Sequence, residues 1–481
     1  MWRTTPGVWA LRKKSGAMSD TQVATEIRVQ PRVIPDGKLE VSRLGFVMFC
    51  FINALLLIRP GELFPVLAEF HLYEISMLLC LAIYWPRIVV AFRWDRLKAA
   101  PITICVVSLL PLTVLSIIWN GLSELLLPYG AGLLKIVLYY MLLVVAVDSA
   151  ARMRRFVLAL AVIITIVGSI ALGHHLDVFK VQTITTLMDK RSILEGALGM
   201  TQDVTLRRLM GVGIFSDPND LAQILAVGMV LAVYGFELSR WAITKALWLV
   251  PVIIMGAGIY YSQSRGGLLA MMAGLGSLFM ARFGIKRAVL AGVICAFPLL
   301  YLFGGHQTNM STDDDSAQSR VQLWSDSIQA MRENPMFGLG PGMMNEYSGQ
   351  VSHNSFLSAF AESGFPGGFL FLSAYAIAIW GVLRLRMGRI KVLDENLAKL
   401  APVLVAAIVA YAVGMLSLSR NYVIPTYLML GLATVYLRIV RTDPPETPIV
   451  CGMGLLGKTF ALAICYLLAM QMFVKLFVRW G

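Results

Sequence analysis

A succession of long apolar runs constrains this chain more than any other feature, because each is close to the roughly 20 residues that a helix needs to cross a bilayer core. The runs fall near residues 44 to 58, 75 to 92, 101 to 119, 128 to 148, 155 to 173, 220 to 238, 241 to 262, 266 to 281, 285 to 304, 355 to 383, 401 to 418, 422 to 440 and 454 to 477. With backbone polar groups unable to reach water in hydrocarbon, such runs must be helices. The pattern predicts an all-α polytopic membrane protein of about 12 or 13 transmembrane helices. Composition agrees: 58% of the 481 residues are hydrophobic and 14% charged, which excludes a soluble globular domain.

Lysines and arginines set the orientation. If residues 1–43 are cytoplasmic, alternate connections receive Arg87, Arg93 and Arg96, then Arg152, Arg154 and Arg155, then Arg282, Lys286 and Arg287, then Arg384 to Lys399, so that most of the 41 basic residues fall inside. The net charge of +13 is then mainly topology, and a nucleic-acid partner is not expected. The expected organisation is a cytoplasmic tail over 1–43 and transmembrane helices over 44–304 with an outer loop near 174–219. A large outer loop containing short helices follows over 305–354, then C-terminal transmembrane helices over 355–481. The last run places Lys475 and Arg479 outside, against the charge rule, so 454 to 477 reads as a half-buried segment or a miscounted span. The tail has no apolar stretch suited to a cleavable signal, so the first span is expected to direct insertion, and Met18 is an alternative start. Cys50, Cys80, Cys105, Cys295, Cys451 and Cys465 lie in or beside apolar runs and read as packing residues.

The polar sequence of interest gathers on the outer side. Gly338-Leu339-Gly340-Pro341-Gly342 is followed by His353-Asn354 and by Glu362-Ser363-Gly364, at the start of an apolar run. Several uncommitted N–H groups face an anion at such a helix start. A lone interfacial histidine is more often without chemistry. Ser264-Arg265-Gly266-Gly267 joins two apolar runs with almost no loop, so Arg265 needs an anionic partner or a watery cavity; lipid phosphate and substrate phosphate both qualify. Lys135, inside the fourth run, poses the same question. Ser316 is suited to cap a helix in which Val321, Trp324, Ile328 and Met331 recur at helical spacing, lying on the membrane surface or over a cavity. Arg320 shares the side of that stripe, where it reads equally as a headgroup anchor. Arg207-Arg208 precede Asp217-Pro218-Asn219-Asp220, in which Asp217 or Asn219 can cap the next span while the arginines contact phosphate. His174-His175 with Asp177 and the run Asp313-Asp314-Asp315 lack a third ligand at convincing spacing, so no metal site is expected.

Taken in order, Arg208 through Ala222, Ser264-Arg265-Gly266-Gly267, Arg320 with Trp324 and Gly338-Leu339-Gly340, and His353-Asn354 with Glu362-Ser363-Gly364 give the chain a resemblance to the O-antigen ligase and polysaccharide polymerase superfamily of bacterial inner membranes. The resemblance covers residues 205 to 375 in detail. It implies transfer of a glycan from a polyprenyl-diphosphate carrier to a glycan or lipid acceptor hydroxyl at the periplasmic face, with inversion and without nucleotide sugar, metal or other cofactor. It further implies His353 as the general base and Arg265 and Arg320 as diphosphate ligands, with Arg208, Asn354 and Glu362 as substrate-binding candidates. Nine residues separate Glu362 from His353, about two and a half helical turns, so the two are not expected to pair.

Ligase and polymerase chemistry use the same residues, and the Ser-Arg-Gly-Gly and His-Asn pairs lean toward the ligase. A flippase or transporter of lipid-linked glycans is the third reading. It calls for charges through the spans and a site near the midplane, and commonly for internal repeats, none of which is visible.

Overall fold

The structure is a computed structural model that describes residues 43–195, 200–290, 315–387, 390–445 and 449–478. The helices are α1 (Arg43–Ile58), α2 (Leu72–Ala91), α3 (Pro101–Trp119), α4 (Gly132–Ala146) and α5 (Ala150–His175). A hairpin of β1 (Leu187–Glu195) and β2 (Met200–Arg208) precedes α6 (Pro218–Leu238), α7 (Ala242–Ser262), α8 (Arg265–Phe283), α9 (Asp315–Glu333), α10 (Ser355–Met387), α11 (Glu395–Gly414), α12 (Ile424–Ile439) and α13 (Met453–Phe477). By length and composition, ten helical stretches among the described residues can cross a membrane, and α1 and α12 are shorter apolar helices. The protein is thus an all-α multi-pass membrane protein. The run at 285 to 304 continues as helix through residue 290 and otherwise lies outside the described residues, as do the tail before Ser42 and Cys295.

Both ends of the bundle are marked by polar contacts. At one end Asp148 pairs with Arg87 and Arg152, each at 3.2 Å, and Arg438 donates to the Val147 carbonyl at 3.0 Å. Arg87 and Arg152, both expected on the cytoplasmic side, therefore meet here. The opposite end carries residues 59–71, 120–131, 176–195, 200–217, 263–264, 334–354 and 418–423. The run at 454 to 477, expected to be half-buried or miscounted, forms a 25-residue helix. It starts beside the Lys98 carbonyl, which accepts from the Cys451 amide, and near its far end Gln471 accepts from Arg332 at 3.0 Å.

Helix α6 is the innermost element, buried along most of its length between α5, α7, α8 and α11. Hydrogen bonds between helices stitch the apolar core: Tyr140 links to Thr103 at 2.9 Å and Thr434 at 2.8 Å, and Tyr139 donates to Asn53 at 2.6 Å. Such bonds average about 0.6 kcal/mol in membranes, so packing carries most of the stability and the bonds fix register.

Helix α10 is 33 residues long, about 50 Å, and breaks at Gly364, where φ is 66° and ψ −174°. The glycine-rich passage lies along that break. Leu339 N–H donates to the Ala361 carbonyl at 2.9 Å, Gly340 N–H to Glu362 at 3.0 Å, and Phe365 N–H to Pro335 at 2.7 Å. Backbone groups freed by the break are thereby paired, as a membrane-embedded kink requires. A Cβ on Gly338 would stand 2.4 Å from the Glu362 carbonyl carbon, so only glycine permits this approach.

Candidate functional site

Three neighbours of His353 are tied to three different elements. Ser352 accepts from Ser327 of α9 at 2.9 Å. Asn354 caps α10, its Oδ1 accepting from the amides of Phe356 at 3.1 Å and Leu357 at 3.2 Å, and Tyr466 of α13 donates to the same oxygen at 3.2 Å. Ser355 donates to the Leu418 carbonyl at 2.6 Å and accepts from the Arg420 amide at 2.8 Å. His353 itself takes a left-handed backbone, φ 47°, a conformation uncommon for non-glycine residues and concentrated at functional sites. Among the described residues its half-buried imidazole makes no hydrogen bond, while Ser352, Asn354 and Ser355 beside it are each bonded to another element.

Arg320 rides on α9 seven residues, about two turns, before Ser327, and so shares the face directed at Ser352 and His353. The stripe beside it, expected on the membrane surface or over a cavity, is packed against other helices. Val321, Trp324 and Ile328 pack against Leu357 of α10 and Val474 of α13. The described part of α9 begins at Asp315, so Ser316 lies within the helix and does not precede it as a cap.

Burial and the neighbouring Arg265 hold the Arg320 guanidinium below its usual range, against the pull of Asp217. Burial lowers the His353 imidazole as well, Arg320 and Arg420 adding to the effect and Asp217 opposing it. The site thus sets an imidazole whose protonation is disfavoured beside a concentration of positive charge, suited to an anionic ligand.

The turn carrying Arg265 is locked from below. Ser264 caps α8 through the Gly267 amide at 3.0 Å and donates to Asn219 at 2.7 Å. Arg208, expected among the substrate contacts, bonds the Ser262 carbonyl at 3.0 Å and Asn219 at 3.2 Å. It ties the end of β2 to the α7–α8 turn. Asp217 caps α6 as expected, accepting from the Asn219 amide at 2.7 Å. Arg207 pairs with Asp177 at 3.0 Å, and His174 Nδ1 accepts from the Val181 amide at 3.0 Å. Asp313 and Asp314 lie outside the described residues. Glu362 is buried among the Gly342 amide, Asn421, Tyr422 and Ser358, away from His353, and its Oε2 makes no hydrogen bond among the described residues. Asn354 is committed as a cap, which makes its visible part in the site one of positioning.

Sequence reasoning missed Arg420, whose guanidinium grips Asp220 with two nitrogens. The signal was present: Ser419-Arg420-Asn421 interrupts two apolar runs just as Ser264-Arg265 does.

Fold and site together define a multi-pass membrane protein with a cationic, histidine-bearing site at the end of the bundle opposite its arginine-rich face. Residues 250–372 match the family model described as O-antigen ligase, which bears out the superfamily resemblance drawn from the motifs. The match runs from α7 into α10 and takes in Arg265, Arg320, His353, Asn354 and Glu362, whereas Arg208, Asp220 and Arg420 fall outside it. No curated protein matches the chain.

Proposed function

We propose that the protein transfers a glycan from a polyprenyl-diphosphate carrier to an acceptor hydroxyl at the periplasmic face of a bacterial inner membrane, as an O-antigen ligase-like glycosyltransferase. The observation that carries this reading is the half-buried imidazole of His353, which makes no hydrogen bond among the described residues and stands in the field of the half-buried Arg320, with Arg265 next to it.

A sugar hydroxyl is a poor nucleophile. His353 takes its proton as the oxygen attacks the anomeric carbon, the bond from that carbon to the diphosphate oxygen breaks, and the electron pair leaves with the diphosphate. A positioned base contributes about 10² to 10⁴-fold to such a step. Arg265 and Arg320 remain charged and offer planar donor sets to the oxygens on which negative charge accumulates. Single displacement inverts the anomeric centre. Arg208, Asn219 and Ser264 hold Arg265 in place, and Ser352, Asn354 and Ser355 hold His353.

The test is His353→Ala in the native host at unchanged membrane abundance, with surface polysaccharide and carrier-linked precursors examined together. Loss of surface glycan with long chains retained on the carrier supports the ligase. Single carrier-linked repeat units instead indicate a polymerase of the same superfamily. An unchanged profile overturns the mechanism.

A further inference from the structure

Lys135 is a cation that the proposed reaction leaves unused. It lies near the start of α4, within the apolar stretch Ser123–Ala146, and among the described residues it has neither an ion pair nor a hydrogen bond. An ammonium within an apolar stretch is costly to leave in hydrocarbon, so one about a turn inside α4 is expected to face a headgroup, a cavity or a counter-charge. Lys135 does line an open-sided cavity, of about 630 Å³, bounded by α1, residues 59–74, residues 128–136, Ile214 and residues 422–424. That volume falls in the range of roughly 300 to 1,000 Å³ typical of ligand pockets.

Two further observations point to an occupant. Tyr73 lines the same cavity with its hydroxyl buried and without a partner among the described residues. A buried hydroxyl in that state has lost its water without gaining a partner, which an acceptor on a ligand offsets. The other cation in the wall, Arg59, is already neutralised by Glu62. It is held by its surroundings, since a Cβ on Gly213 would stand 2.1 Å from the Arg59 Cδ. Glu74 lies on the rim, exposed and unbonded to Lys135. The remaining wall is largely apolar, including Leu56, Leu133, Ile136 and Ile424. None of Arg265, Arg320 and His353 belongs to it.

We propose that this cavity is a second binding site, taking the phosphate headgroup of a membrane lipid. Lys135 neutralises the phosphate, the Tyr73 hydroxyl donates to a phosphate oxygen, and the first carbons of the lipid chain lie against Leu133 and Ile136. The proposal does not depend on His353 acting as a base. Phosphoglycerides and prenyl phosphates share this chemistry.

Binding to the purified full-length protein in detergent tests it, with dioctanoyl phosphatidic acid, farnesyl monophosphate, dioctanoylglycerol and inorganic phosphate as probes. At least one of the two phosphate amphiphiles is expected to bind about tenfold or more tightly than dioctanoylglycerol or inorganic phosphate, and Lys135→Gln to lose about tenfold while Lys135→Arg keeps most of the affinity. The preferred amphiphile identifies the lipid source. Arg265→Gln with Arg320→Gln should leave this binding intact, which separates it from the site around His353. Gly132→Phe supplies a variant independent of charge, because Gly132 lines the cavity in helical conformation with nothing within 4 Å of an added Cβ. It should block binding. Wild-type affinity in both Lys135→Gln and Gly132→Phe, or equal binding of dioctanoylglycerol, would overturn the proposal.

Discussion

Asp220 and Arg420, 200 residues apart in sequence, form a two-pronged ion pair in which guanidinium Nε and one terminal nitrogen each meet a carboxylate oxygen. The carboxylate side chain is 5% exposed and the guanidinium 35%. The pair fastens α6 to the 418–423 segment. Through the Arg420 amide and Ser355 hydroxyl, that segment is fastened to the start of α10 beside His353. One ion pair therefore connects the innermost helix to the backbone that presents the imidazole.

Removing one member of this pair strands the other. A broken buried pair costs about 3 to 5 kcal/mol, and the partial exposure of Arg420 places this one at or below the low end. Asp220→Asn and Arg420→Gln are each expected to lower the thermal unfolding midpoint in detergent. The double variant should cost less than the two singles added, by about 1 kcal/mol or more. Strict additivity would show that the pair contributes geometry without energy.

Much of the architecture is legible in the sequence because bilayer thickness imposes a length on every span. The boundaries of α3, α6 and α7 lie within a few residues of the apolar runs, and Asp217 is recognisable as a cap from its place before α6, whereas Asn354, expected as a substrate contact, caps α10. Sequence reasoning missed the break at Gly364, although Gly364, Pro366, Gly367 and Gly368 interrupt the apolar run: such residues mark a place where a helix can kink, and not that another strand of backbone reaches into it. The β1–β2 hairpin is not legible, its sequence lacking a strong alternation. Arg208 and Arg320 look alike in sequence, both basic and both in outer loops. Their difference arises from contacts outside their own segments, Arg208 with Ser262 and Asn219, Arg320 with the field of Arg265.

The contact between the glycine-rich passage and the α10 break predicts intolerance of even one methyl group. Gly338 and Gly364 both have left-handed φ, 67° and 66°, and a Cβ on Gly364 would stand 2.6 Å from the Met336 carbonyl. Left-handed backbone costs an ordinary residue about 1 to 2 kcal/mol before any clash is counted. Gly338→Ala and Gly364→Ala should each reduce the folded protein recovered from membranes, whereas Gly349→Ala, with left-handed φ but open space, should be milder. Equal losses at all three positions would assign the effect to φ alone.

Asn354 offers a separation of structure from chemistry. Asn354→Ala removes the acceptor for two α10 amides and for Tyr466, with an expected cost of about 1 kcal/mol. Asn354→Asp preserves the cap and should restore stability. If transfer activity follows stability across the two variants, Asn354 acts by positioning His353. Activity lost in the aspartate variant at full stability would place the amide nitrogen in contact with substrate.

The pH dependence of transfer tests the electrostatic relation of His353 to its neighbours most directly. Burial and then Arg320 hold the imidazole below its ordinary value, about 6.5. A general base acts in its unprotonated form, so activity should be full above that lowered value and fall as pH drops through it. The acid limb of kcat/KM is accordingly expected below about pH 6.5. Arg320→Gln removes a positive charge that opposes protonation. The imidazole then protonates more readily, and the limb moves to higher pH. Asp217→Asn keeps the α6 cap yet removes the charge that favours protonation, so the limb moves to lower pH. Opposite displacements in the two variants would place His353 in the field of both side chains as the titrating base, and an acid limb unmoved by either would assign it to another group.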